Sequence, residues 1–353
     1  LSLTYLFAKD ETFLWRLAAG NIVGSAVFGL LCFVIANFLG LSVVTVLVAL
    51  IISATPLLLL RDKDRKRSLK DDWQRGKDKT QGASFKRLWR LSYYLFFLVL
   101  FIAFFDRAMI VGSDGIFTGA SQNLGDLPYH LGAIFSFADG NNFPPQNPSF
   151  ADAKFTYPFI ADFLTACLLK LGASVQSAML MQNVFWAFSL LVILERFVFK
   201  VTNSRLAGKI APFILFFSGG FGFLWFFKDY WYGTQGLWEI LWNLPQDYTI
   251  GEKFRWGNSL VTLFITQRSL LLGLPLTIIV LGKLWQIFSD GEIRNRKEDK
   301  ISASPRLPFS LSFFLVGLLA GTLPLIHAHS LVVLFVVSAF LFFFSLKNWK
   351  DWI

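Results

Sequence analysis

The chain reads as all-α, a polytopic bundle of membrane-spanning helices. Of its 353 residues 55% are hydrophobic, with a mean hydropathy of +0.55, and 41 are Phe and 12 Trp. Apolar residues also run unbroken for lengths that match a hydrocarbon core of about 30 Å. Barrel strands would be short and alternating. Helices are the spanning element that fits, because each backbone polar group in lipid must find its partner within the segment.

Eight runs are long enough to span: 12–39, 41–60, 91–111, 177–199, 207–227, 262–287, 308–326 and 328–346. A ninth, 157–174 (YPFIADFLTACLLKLGAS), is apolar but short and carries Asp162 and Lys170. Charge decides its placement. Twelve Lys and Arg fall in 61–90 and five in 289–307, and the positive-inside rule puts both loops on the cytoplasmic side. They share that side, together with Arg196, Lys200, Arg205 and Lys209, only if 157–174 does not cross. This segment is therefore expected to be an amphipathic helix lying in or dipping into the outer interface.

The organisation that follows is an N-terminal helix pair (1–60), a basic cytoplasmic loop (61–90), a core (91–347) and a short cytoplasmic tail (348–353). The core carries two external loops. Residues 106–176 hold six Asp against three basic residues. Residues 228–258 are aromatic, with Trp231, Trp238, Trp242, Trp256, Tyr230, Tyr232 and Tyr248. These read as an interfacial belt, or alternatively as a stacking platform for a sugar or lipid head. The chain opens at Leu1 and stops just after an apolar run, so it reads as a processed or truncated product.

The net charge of +10 needs no nucleic acid partner. The basic run is a solvated face attracted to anionic lipid, and it lacks the interleaved aromatics of a nucleic-acid surface. Cys32 and Cys167 lie far apart in apolar segments and suggest neither a disulfide framework nor a thiolate metal site. Gly20-x-x-x-Gly24 and Gly317-x-x-x-Gly321 read as close helix contacts.

Chemistry concentrates in the external loops. Asp126 opens an apparent helix, DLPYHLGAIFSF, and reads as its N-cap. It stands four residues from His130, so the two share a helical face. A carboxylate so placed could accept a proton from an attacking hydroxyl while the imidazole orients it. Arg268, in FITQRSLLLGLPL, is costly inside an apolar run. Either it snorkels to the headgroups or, with Gln267, it clamps a phosphate. His327 and His329, in PLIHAHS, map to the same external side and could also meet a lipid phosphate. Asp114 is a turn residue with a second reading as a sugar or cation ligand. Tyr129 and Tyr157 complete the candidate substrate contacts. Asp139, Asp152 and Asp162 read as surface or capping carboxylates, and NNFPPQNP as rigid extended chain.

The layout of a span ending outside, an acidic residue in a large first external loop (GDLPYH), a YPF-type segment, and a span with a basic inner end (ERFVFKVTNSRLAGK) resembles the GT-C superfamily of membrane glycosyltransferases. The similarity is to the bacterial branch related to protein O-mannosyltransferases and to the aminoarabinose transferases of lipid A, and it covers roughly 91–347. It implies transfer of a sugar from a polyprenyl-phosphate donor to a lipid or glycan acceptor at the external face of the plasma membrane, with inversion. Asp126 takes the place of the loop base and Arg268 that of the phosphate ligand. No cofactor is implied as required, and a divalent cation is left open, because members differ in metal dependence. The chain departs from many members in having a single acidic residue at the motif and two spans ahead of the expected first helix. The competing readings are a transporter or lipid flippase with Arg268 and Asp162 on its path, a metal site from Asp126, His130, His327 and His329, and a non-catalytic membrane subunit.

Overall fold

A computed structural model describes residues 1–8, 11–78, 85–119, 121–248, 257–296, 309–344 and 346. Trp256, the tail 348–353 and residues 297–307 of the second basic loop lie outside them. Among the described residues of the chain about 75% are helical, and the only strands form one hairpin, with an isolated bridge between Gln146 and Lys154. Its helices are α1 (Thr4–Phe7), α2 (Phe13–Leu39), α3 (Val43–Ala54), α4 (Lys63–Asp78), α5 (Phe85–Asp106), α6 (Asp126–Ala138), α7 (Ile160–Lys170) and α8 (Val175–Thr202). There follow α9 (Arg205–Phe217), α10 (Gly222–Tyr232), α11 (Leu237–Trp242), α12 (Arg268–Arg296), α13 (Phe309–Ala320), α14 (Leu323–Ile326) and α15 (Ala328–Phe344). The hairpin pairs β1 (Ile110–Gly112) with β2 (Gly115–Phe117), antiparallel, around Ser113 and Asp114.

Four segments are long and apolar enough to cross a membrane: Phe13–Leu39, Val43–Arg61, Arg87–Asp106 and Arg268–Ser289. They match the expected spans 12–39, 41–60, 91–111 and 262–287. The expected span 207–227 is broken. Its helix stops at Phe217, and α9 and α10 meet at 69°, which allows a fifth crossing only as a bent pair. Ser218-Gly219-Gly220 supplies the break, with Gly220 at φ +72°. Within the runs 308–326 and 328–346 lie the shorter apolar helices Phe314–Ile326 and Ala328–Phe344, and α8 is helical throughout 177–199. Eight crossings are therefore not all matched.

Helix α8 is the hub, packed against α2, α5, α9 and α12. It runs antiparallel to α2, as a ladder of contacts shows. Arg196 Nε donates to Glu11 (2.7 Å), Asn21 Nδ2 to Ser189 Oγ (3.0 Å), and Trp186 Nε1 to Ser25 Oγ (3.2 Å). N-caps on Thr12, Ser174 and Ser204 start α2, α8 and α9 by accepting backbone N–H groups of the first turn.

The segment expected at the interface lies inside the bundle. Helix α7 has eleven residues, about 16 Å of helix, too short to cross. Every residue from Ile160 to Cys167 is buried, and α7 packs on α2, α6, α8 and α12. Gly29 makes this possible, because a Cβ there would lie 2.8 Å from Ile160 Cγ2. The sulfurs of Cys32 and Cys167, distant in sequence, meet at 3.7 Å across the same contact. Of the expected glycine pairs, Gly20 lies close against the backbone of Leu1 and Gly321 against carbonyls of α13, while Gly24 and Gly317 face open space.

The basic loop is also more ordered than a solvated face. Asp72 of α4 is buried and accepts from Arg16 Nε (2.8 Å), Arg75 (2.6 Å) and the Tyr5 hydroxyl (3.1 Å), which docks α4 onto the start of α2.

Candidate functional site

Three elements converge at Asp162: the head of α6, α7, and the start of α12. Just before α12, Ser259–Phe264 forms a π-helical turn, and regular α-helix resumes only at Arg268. Such breaks leave carbonyls without intrahelical partners. His130 Nε2 meets the Thr266 carbonyl at 2.9 Å, and its Nδ1 meets Asp162 Oδ2 at 2.8 Å. The other oxygen, Asp162 Oδ1, accepts from Arg268 NH1 at 2.8 Å. Side chains of all three residues are at most 2% exposed.

The rest of the Arg268 guanidinium is also engaged. Its NH2 donates to Thr165 Oγ1 (2.9 Å) and Gln182 Oε1 (3.0 Å), and Nε to Asn183 Oδ1 (3.4 Å). A buried cation needs this, because one unpaired in an apolar interior costs several kcal/mol. Two expectations are thereby corrected. Arg268 does not snorkel, and its fork is filled by protein acceptors instead of being held open for phosphate. Asp162, expected at the surface, is the buried centre of the cluster.

His130 was expected to partner Asp126 across one helical turn. It turns instead to Asp162, 32 positions away. A carbonyl and an ionised carboxylate both only accept, so a protonated ring that donates from both nitrogens satisfies the two contacts together. Burial pushes its pKa down, but the charge and hydrogen bond of Asp162 outweigh this, with the Thr266 carbonyl adding and Arg268 opposing. The net shift is upward from 6.5. With His130 protonated the cluster holds two cations and one anion.

Asp126 stands in the first turn of α6 and Gly125 is the N-cap, so the expected cap lies one residue earlier. The Asp126 carboxylate is partly exposed and, among the described residues, takes no hydrogen bond or ion pair. Tyr157 is close enough to feel its charge. The Tyr157 phenol is pushed up, first by burial and then by Asp162 and Asp126 among others, while Ser269 pulls the other way. Its hydroxyl donates to Gln267 Oε1 (3.0 Å), and its ring meets that of Tyr129 edge to face at 5.3 Å. Gln267 is thus a partner of Tyr157, and Asp126, Tyr129, His130, Tyr157, Gln267 and Arg268 lie together.

Three expected residues stand apart. Asp114 sits exposed at the hairpin turn, taking a hydrogen bond from Ser113 (2.9 Å). His327 packs on the α12 backbone at Gly273 and shares a 2.8 Å hydrogen bond with Ser330, and its ring is 5.5 Å from that of His329. Burial, then His329, push the His327 pKa down to about 4, so it is neutral near pH 7. The four-residue metal reading is not assembled. Both nitrogens of His130 are occupied, and no group of three or more His, Cys, Asp or Glu placed to hold a metal occurs among the described residues.

Thr165, Gln182, Asn183 and Thr266 are not singled out by the sequence, and Asp162 is singled out only as a surface or capping carboxylate or, in the transporter reading, as a path residue with Arg268. The available signal was electrostatic: Asp162 and Arg268 are opposite charges stranded in separate apolar runs. No family model, curated protein or solved structure matches the chain.

Proposed function

We propose that the chain is a membrane glycosyltransferase that moves a sugar from a polyprenyl phosphate to an acceptor hydroxyl at the external membrane face, with Asp126 as base. The observation that carries this reading is a carboxylate that, among the described residues, takes no hydrogen bond, at the head of a helix whose next turn is fastened by His130. A base must be reachable and held within hydrogen-bond distance of its proton. Asp126 takes the acceptor proton as the acceptor oxygen bonds the anomeric carbon from the face opposite the carrier. The bond to the phosphate oxygen breaks, and lipid phosphate leaves with the electron pair.

Arg268 and His130 act here as positioning residues. They fix α6 and α12 relative to α7, and their one-unit positive surplus favours an anionic leaving group through space. Tyr129 and Tyr157 offer the rings and hydroxyl that a sugar packs against.

The test is transfer of labelled sugar from defined polyprenyl-phosphate donors by protein in lipid vesicles, with and without Mg²⁺. Asp126→Asn should fold as wild type and lose transfer by about 10²-fold or more. Equal transfer by both would remove Asp126 from the mechanism.

A second reading, a transporter or flippase, is favoured by the helix break before Arg268 and by the charged cluster behind it. The same vesicles separate the two. Movement of lipid phosphate across the bilayer without sugar transfer would select it.

A further inference from the structure

We propose that Cys32 and Cys167 are a redox pair that closes to a disulfide inside the bundle, clamping α7 covalently to α2, and that the oxidant is a lipid-soluble quinone. The sequence holds two cysteines, 135 positions apart, and the fold sets their sulfurs 3.7 Å from one another. A disulfide bond of about 2.05 Å asks each sulfur to move by about 0.8 Å from that contact. The backbone makes the approach possible. Gly29 lies one turn before Cys32 on α2, and without a side chain there the two helices close until Ile160 Cγ2 is 2.8 Å from where a Cβ would stand. Such close helices are what a disulfide needs, since it spans only about 4.4–6.8 Å between Cα atoms.

The surroundings select the oxidant. Both cysteines are at most 1% exposed and belong to the apolar core. Among the described residues neither sulfur has a hydrogen-bond partner besides the other. Exchange with a charged aqueous disulfide needs a thiolate, which an apolar interior disfavours. A quinone dissolves in hydrocarbon and accepts hydrogens together with electrons. Both S–H bonds break, the S–S bond forms, and the two electrons and two protons released convert the quinone to a quinol. A contact this closed reacts only when α7 parts from α2, so the rate of oxidation reads that opening. Cys167 stands five residues beyond Asp162 on α7, so the clamp fixes the helix that fastens His130 and Arg268. Reduced, α7 is held by packing and charge; oxidised, it is held by a covalent bond as well.

The test uses the full chain in detergent micelles, kept reduced or treated with a short-chain ubiquinone. Treatment should remove the mass of two hydrogens from the intact chain, abolish maleimide labelling after unfolding, and yield a peptide that joins the two cysteines. The melting temperature should rise by roughly 5–10 °C. Cys32→Ser and Cys167→Ser, made separately, should each keep one labelled thiol and a melting temperature that the quinone leaves unchanged. Two thiols still labelled after treatment, or a disulfide that joins two chains, would overturn the pair. An intramolecular bond that leaves the melting temperature unchanged would overturn the clamp, and oxidation by glutathione disulfide as fast as by the quinone would overturn the oxidant. The readout does not involve sugar transfer, so the pair stands or falls apart from the catalytic reading.

Discussion

Two polar layers cross the same bundle, built from similar groups under different conditions. In the layer around Asp162 a carboxylate bridges His130 and Arg268, and all three are at most 2% exposed. In the layer around Glu11 a buried carboxylate likewise joins two cations, but Arg196 and Lys200 remain 24% and 29% exposed. Water screens the second layer and not the first. The interior cluster can therefore hold helices in one arrangement, while the cations of the end cluster stay partly in contact with solvent.

The contrast breaks most sharply at Asp162. Asp162→Ala leaves Arg268 buried without its counter-charge and should cost about 3–5 kcal/mol, read as a collapse of the melting temperature and of monodisperse yield in micelles. Asp162→Leu combined with Arg268→Met should recover much of that loss, because a buried pair replaced by apolar groups of similar volume is often neutral. If the double variant is as unstable as the single one, the pair is not what holds α7 in place.

Packing comes next. Gly29→Val drives a side chain into Ile160 and Leu164 and should destabilise by about 1–3 kcal/mol. An unchanged melting temperature would mean that α7 does not seat on α2.

A titration sharpens the comparison further. Because the folded pKa of His130 is raised, its contribution is fully present below pH 6.5 and is lost as pH rises through the raised value. Stability should fall over that window in the wild type and lose that component in His130→Gln. A dependence that survives the substitution assigns the titration elsewhere.

The smallest effect belongs to the end layer. Glu11→Gln should cost about 1 kcal/mol or less, since its partners are partly solvated, and the cost should shrink with added salt. A loss as large as that of Asp162→Ala would erase the distinction between the layers.

The sequence disclosed whatever depended on local pattern. Long apolar runs located α2 and the Val43–Arg61 segment to within two residues, and α5 and α12 to within six at their starts, because twenty consecutive apolar residues admit few other fates. Asp114 was legible as a turn residue, although the strands on either side were not assigned. What stayed hidden depended on partners distant in the chain. Lys170 and Asp162 made 157–174 look amphipathic, yet Asp162 points at an arginine 106 positions later. The spacing of Asp126 and His130 suggested a helical pair, but burial made Asp162 the stronger claim on the imidazole. Gly219 and Gly220 could have flagged the bend after α9.

The partners of Arg268 also share an order. Asp162, Thr165, Gln182 and Asn183 all precede it in the chain. During synthesis from the N-terminus, the acceptors have left the ribosome before the guanidinium does, so the cation emerges with its nest already available. A circular permutant that began at α12 would release Arg268 first, into a bilayer with no carboxylate ready to receive it. The arrangement thus encodes a sequence of assembly as well as a final structure.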